Sequence, residues 1–129
     1  TSDNEARPNK ILSVSELIEF QQVVRRVPVP SSVAEFAVRI VRSTRPNKSN
    51  PLKNVDQYLR WGAGPRACQY LALAGKVFAA LDGRFNVAKE DIIRAAHPVL
   101  RHRVIINYRS EADGITIEQI IDEIIRVMS

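Results

Sequence analysis

Apolar positions return at a helical period in five stretches of this chain. In the first, Leu17, Phe20, Val24 and Val27 share one face, and Ser13 with Glu16 three residues on makes the reciprocal cap that opens such a helix. It is expected to run to about Arg26, because Val27-Pro28-Val29-Pro30 pushes the residue before each proline into extended geometry. In the second, Val33, Phe36, Ala37, Ile40 and Val41 face inward, with Ser32 and Glu35 as a second capping box and an end near Thr44–Arg45, ahead of Pro46. Residues 46–54, PNKSNPLKN, read as a loop, and Val55 to Arg60 as a short helical turn leading into Trp61.

The run from Trp61 to Leu81, WGAGPRACQYLALAGKVFAAL, is the stretch around which the rest is expected to pack. Ala67, Tyr70, Leu71, Ala74, Val77, Phe78 and Leu81 form one stripe, and the opposite side is small rather than charged, with Ala72, Gly75 and Ala79. Gly64 suits the N-cap and Pro65 the first helical position, where a missing N–H costs nothing. Asp82-Gly83 ends the helix with a turn.

In the last third, a turn, an extended piece and a helix start occur twice, at residues 82–90 and again at 113–119. The two extended pieces are expected to pair as a very small β ladder. A fourth helix should span about Ala88–Ala96 and stop before Pro98, while residues 99–106 stay ambiguous. Thr116 and Gln119 cap the last helix, whose stripe is Ile117, Ile120, Ile121, Ile124, Ile125 and Met128. The fold class expected is all-α, a small bundle of four to five helices with a very short two-stranded ladder.

The 129 residues fit one domain, and 45% hydrophobic with 26% charged residues is a globular composition. One cysteine, Cys68, excludes an internal disulfide and reads as a small buried hydrophobe. No apolar run reaches the ~18–20 residues of a membrane span and no signal peptide heads the chain, so a cytoplasmic protein is expected. The first residue is threonine and residues 1–12 read as a polar linker, as in a piece of a larger protein. The net charge of +5 raises the thought of nucleic acid. Yet the basic residues are scattered and no aromatics are interleaved as stacking platforms, so nucleic acid is not the expected partner.

Candidate chemistry is sparse. Gly75-Lys76-Val77 lacks the rest of a phosphate loop, and Ile120-Ile121-Asp122-Glu123 resembles a Walker B end but lies in a helix pattern. His97 and His102 have no partners at metal-ligand spacing, so no metal site is assigned. Arg66 stands out. A cation in the first turn of a helix is disfavoured by about 0.3–1 kcal/mol, and the free N–H groups there favour an anion. An arginine at that place suits a phosphate, or else is a solvated surface residue whose stem escapes the dipole.

Trp61-Gly62-Ala63-Gly64-Pro65-Arg66-Ala67 resembles the sensor 2 motif that opens a long helix in the C-terminal lid of MoxR-type AAA+ ATPases. Ser15 to Gln21, Val27-Pro28-Val29, Arg42 with Thr44-Arg45-Pro46, Asp82-Gly83-Arg84, Glu90-Asp91-Ile92 and residues 98–103 follow in the family's order. The resemblance implies a lid, here residues 13–129, that closes over Mg·ATP held by an N-terminal AAA+ core of the same chain. Arg66 would reach toward the γ-phosphate, with Gly64 and Pro65 shaping the nucleotide-facing turn. It implies a ring, commonly a hexamer, and clients often carrying von Willebrand A domains. Arg101 and Arg103 would then lie at a subunit interface or be salt-bridged within the lid. The Walker loops and arginine finger are absent, so the 129 residues should neither hold nucleotide nor hydrolyse ATP alone. The competing expectation is a free-standing basic helical module that binds protein or nucleic acid.

Overall fold

Capping chemistry and proline placement set most helix ends in the described residues, 7–129, of the computed structural model. In chain order these form α1 (Val14–Arg26), α2 (Ser31–Ser43), α3 (Lys53–Tyr58), β1 (Leu59–Trp61), α4 (Arg66–Leu81), α5 (Lys89–Leu100), β2 (Ile105–Ile106), α6 (Tyr108–Ala112) and α7 (Ile117–Met128). The class is the all-α bundle expected; α3 is the short turn expected over Val55–Arg60, begun two residues earlier, and α6 is a further short helix beyond those counted. Of the linker assigned to residues 1–12, residues 1–6 lie outside the described part; residues 7–12 are exposed and carry no helix or strand.

The Ser13–Glu16 and Thr116–Gln119 boxes both form, each with side chain and backbone bonded in both directions. The Ser32–Glu35 box does not. Pro30, at φ −57° and ψ 146°, takes the cap position of α2, and its carbonyl accepts from the Val33 and Ala34 N–H groups, so Ser32 is already inside the first turn. α5 also departs from expectation by running through Pro98 to Leu100. Pro98 is exposed, so the Arg94 carbonyl it cannot serve is left on the solvent side, while Val99 and Leu100 beyond it are buried. Burial of those two side chains outweighs the proline penalty of about 3 kcal/mol.

α4 packs against α1, α2 and α5, and α7 closes the far side against α2 and α5. The face that α4 buries is Ala67, Leu71, Gly75 and Ala79; it shares only Ala67 and Leu71 with the stripe expected, of which Tyr70 and Leu81 are exposed. The small residues win because they let α5 and its approach come close. A Cβ on Gly75 would stand 2.8 Å from Val87 Cγ1 and 3.2 Å from Ile92 Cδ1. Phe36, Ile40, Leu71, Ile92, Leu100 and Ile121 are fully buried and join α2, α4, α5 and α7 in one core.

The two-stranded ladder exists, but between other segments. β1 pairs antiparallel with β2, Leu59 opposite Ile106 and Trp61 opposite Ile105. The extended piece ending at Val87 instead gives its N–H to Pro28 O at 3.1 Å, and Ile115 gives its N–H to Ser110 O at 2.9 Å. Val27, Val29 and Tyr58, which look like surface that another domain would cover, are buried or half-buried within this one. Tyr58 donates to Asp113 Oδ2 at 3.0 Å, a bond that raises its phenol above the usual range.

The Asp82-Gly83-Arg84 turn is a charged clasp between α4 and α5. Gly83 has φ 68°, the left-handed region where glycine is unstrained. Arg84 binds both oxygens of Asp91, at 2.8 and 2.5 Å, and reaches Asp82 at 3.0 Å. Asp91, almost completely buried, also accepts the Ala88 N–H at 2.8 Å and so caps α5. The Arg84 hydrogen bonds hold its carboxyl below the usual carboxylate range, against the opposing effect of burial. A carboxyl depressed on folding contributes stability above its unfolded pKa of about 3.9 and loses it as pH falls through the folded value. The melting temperature should therefore fall on acidification below about pH 4, and Asp91→Asn should flatten that part of the profile in a pH series of thermal melts.

Candidate functional site

The turn that leads into α4 is held by the end of α2. Thr44, fully buried at the C-cap of α2, donates from Oγ1 to Val41 O at 2.6 Å and accepts the Ala63 N–H at 2.8 Å. Gly62 lies directly on this cap, where a Cβ would meet Thr44 O at 2.5 Å and Arg45 Cα at 2.7 Å. On its other side the segment continues from β1, so residues 61–64 form a strap between the ladder and α2.

Pro65 has helical angles, φ −57° and ψ −29°, and Gly64 O accepts the Ala67 N–H at 3.0 Å, so the helical turn begins at Pro65 as its chemistry suggests. The Cys68 N–H bonds Pro65 O at 3.1 Å. These short-range bonds occupy two of the N–H groups that a helix start usually leaves free. Gly64, Pro65 and Arg66 are all exposed. Arg66 makes no salt bridge and no side-chain hydrogen bond among the described residues, and the first turn of α4 holds no acidic residue. Cys68, half-buried, has its thiol pushed up by burial, opposed by the charge of Arg45. Arg45 lies against the strap that leads into α4, its Cα 2.7 Å from where a Cβ on Gly62 would stand.

Arg101 and Arg103 follow the C-terminal end of α5, which runs antiparallel to α4 and so lies beside its first turns, but neither contacts Arg66. Arg101 Nε donates to His97 O at 3.2 Å and Arg103 Nη1 to Val99 O at 2.7 Å, both carbonyls of the last helical turn. Arg103 also stacks over Tyr70, 4.5 Å from the ring centre, and contacts His102. The Walker-B-like residues lie on α7, where Asp122 binds His97 Nε2 at 2.7 Å and Glu123 accepts from Asn54 at 2.7 Å. Both acids tie the bundle together.

Residues 52–124, more than half of the chain, match the family profile described as AAA lid domain. The chain belongs to the AAA lid domain family. The relatives make it a lid of the MoxR type. It is 29% identical over 120 residues to Chaperone MoxR1 of Mycobacterium tuberculosis, covering 93% of this chain and 32% of that protein. It is 30% identical over 114 residues to the uncharacterized protein YeaC of Bacillus subtilis, covering 88% and 33%. A crystal structure of a candidate ATPase from Cytophaga hutchinsonii superposes with a TM-score of 0.82 at 32% identity, covering 87% of this chain and 34% of that one. The chain thus spans about a third of the length of the curated relatives it matches. Among the described residues, no helix is long and apolar enough to cross a membrane.

Within this lid, sequence reasoning marked the turn residues and Arg66 but gave Thr44 and Gly62 no role. The signal for Gly62 is its place between Trp61 and Ala63 in a run ending at a proline cap. Nothing in the pattern shows which backbone it meets.

Proposed function

We propose that this lid closes over ATP bound by a MoxR-type AAA+ core and that Arg66 reads the γ-phosphate. The observation that supports this is an exposed arginine, with no ion pair among the described residues, on the first residue of the central helix. Its planar guanidinium fits phosphate oxygens in pairs, and Gly64 and Pro65 keep the approach free of side-chain bulk. ATP and Mg would be held by the core. The nucleotide supplies the phosphoryl group to be transferred, and this chain's part is to orient and stabilise charge. A contact made with ATP and lost with ADP biases lid closure, a hinge motion between two rigid bodies.

The chaperone name of one relative favours a remodelling or assembly role for the whole protein. We place that protein in the cytoplasm, in a ring, commonly hexameric, acting on client proteins that include von Willebrand A domains. Arg101 and Arg103, capping α5, would face a neighbouring subunit with their remaining donors.

The test is nucleotide discrimination in the intact ATPase. A hydrogen bond to a charged group is worth about 1.5–3 kcal/mol. Arg66→Ala should therefore weaken ATP binding by roughly 10-fold or more relative to ADP, measured by calorimetry. Equal weakening of both nucleotides, or none, rejects γ-phosphate sensing by this residue.

A further inference from the structure

We propose that Thr44 is the positioning residue for Arg66, acting through the strap at residues 61–64; this rests on the phosphate-sensing reading of Arg66. Two features of the joint converge on it. The buried Thr44 hydroxyl is held from both sides, giving its proton to Val41 O at 2.6 Å and receiving the Ala63 N–H at 2.8 Å. Beside it, Gly62 lets backbone lie on backbone, with no room for a Cβ against Thr44 O or Arg45 Cα. Ala63 is itself almost fully buried, three residues before Arg66. β1 and β2 hold the strap from the other side, so it cannot tilt without breaking either the ladder or the threonine bond.

Arg66, by contrast, has no partner of its own among the described residues. Its long side chain is free, so its reach is set by where the strap delivers the first turn of α4. A guanidinium displaced by about 1 Å costs up to roughly 100-fold when alignment matters in the transition state. The same joint carries Arg45, whose charge is felt at Cys68 on the first turns of α4. Thr44 thus ties two cationic residues, Arg45 just past α2 and Arg66 at the start of α4, to one rigid corner.

The experiment measures kcat and KM for ATP in the intact ATPase, for Thr44→Val, Thr44→Ser and Gly62→Ala, each alone and in an Arg66→Ala background. Thr44→Val keeps the shape and removes the hydroxyl; Thr44→Ser keeps the hydroxyl. Expected is a fall in kcat of about 10-fold to 100-fold for Thr44→Val and Gly62→Ala, with KM changed far less and Thr44→Ser close to wild type. In the Arg66→Ala background the Thr44→Val and Gly62→Ala losses should vanish, because the group they position is gone. If those losses persist there undiminished, Thr44 is only a helix cap and the proposal is wrong, while phosphate sensing stands. If Arg66→Ala alone leaves kcat unchanged, the sensing reading fails first and takes this proposal with it. Should Thr44→Val not fold, Gly62→Ala and Thr44→Ser decide by the same comparison: a Gly62→Ala loss that vanishes without Arg66 supports the joint, and one that persists refutes it.

Discussion

Alanine at position 66 is expected to lower ATP turnover of the intact ATPase by about 100-fold to 1,000-fold, the usual effect of removing one donor from a developing negative charge. The size follows from place and chemistry together. Arg66 has no competing carboxylate among the described residues to be pulled away from, so its charge is available in full. It stands in a helix start that disfavours a cation unless an anion comes. The same substitution should leave the melting temperature of the 129-residue domain nearly unchanged. An exposed side chain without packing partners contributes within about 0.5 kcal/mol. That dissociation is the point of the measurement. A fall in turnover with a matching fall in melting temperature would mean damage to the bundle, and unchanged turnover would reduce Arg66 to a solvated surface arginine.

The second large effect belongs to the core. Phe36 is fully buried on α2, with Arg39 and Lys89 lying over its ring at 5.7 and 5.5 Å. Phe36→Ala should cost about 3–5 kcal/mol through lost burial and the cavity left behind. Domains of this size are stable by only about 5–15 kcal/mol, so the loss should lower the melting temperature by roughly 10–20 °C. Phe85→Ala is the control of equal side-chain volume. Phe85 is 92% exposed on the turn after α4, and its loss should stay within about 0.5 kcal/mol. Calorimetry of the two variants side by side checks both. A small effect at Phe36 would mean that the site collapses around the smaller residue.

How far the pattern alone reaches shows best on α4. The helix and its boundaries follow from periodicity and from the Gly64-Pro65 start, because capping and proline geometry are local. Its buried face does not. Periodicity ranks Tyr70 and Leu81 by their apolar character, yet the bundle buries Gly75 and Ala79, since the closest helix contact is made where side chains are smallest. Pro98 teaches the same lesson in reverse. Its local chemistry says stop, but the carbonyl it orphans faces solvent and the residues beyond it are core. The ladder was anticipated as an element, not by its strands, because a two-residue strand carries almost no periodic signal.

Local chemistry, read from the residues, determined the all-α class, the Ser13 and Thr116 caps, the inward faces of α2 and α7, and the placement of Arg66 at a helix start. These depend on neighbours within about one helical turn, which the order of residues states outright. Only the tertiary structure decided that Thr44 meets Ala63 across 19 positions, that Gly62 lies on the end of α2, and that Asp91 is buried under Arg84. Those contacts are set by how close the helices can come, and that distance depends on side-chain volume summed over several elements at once.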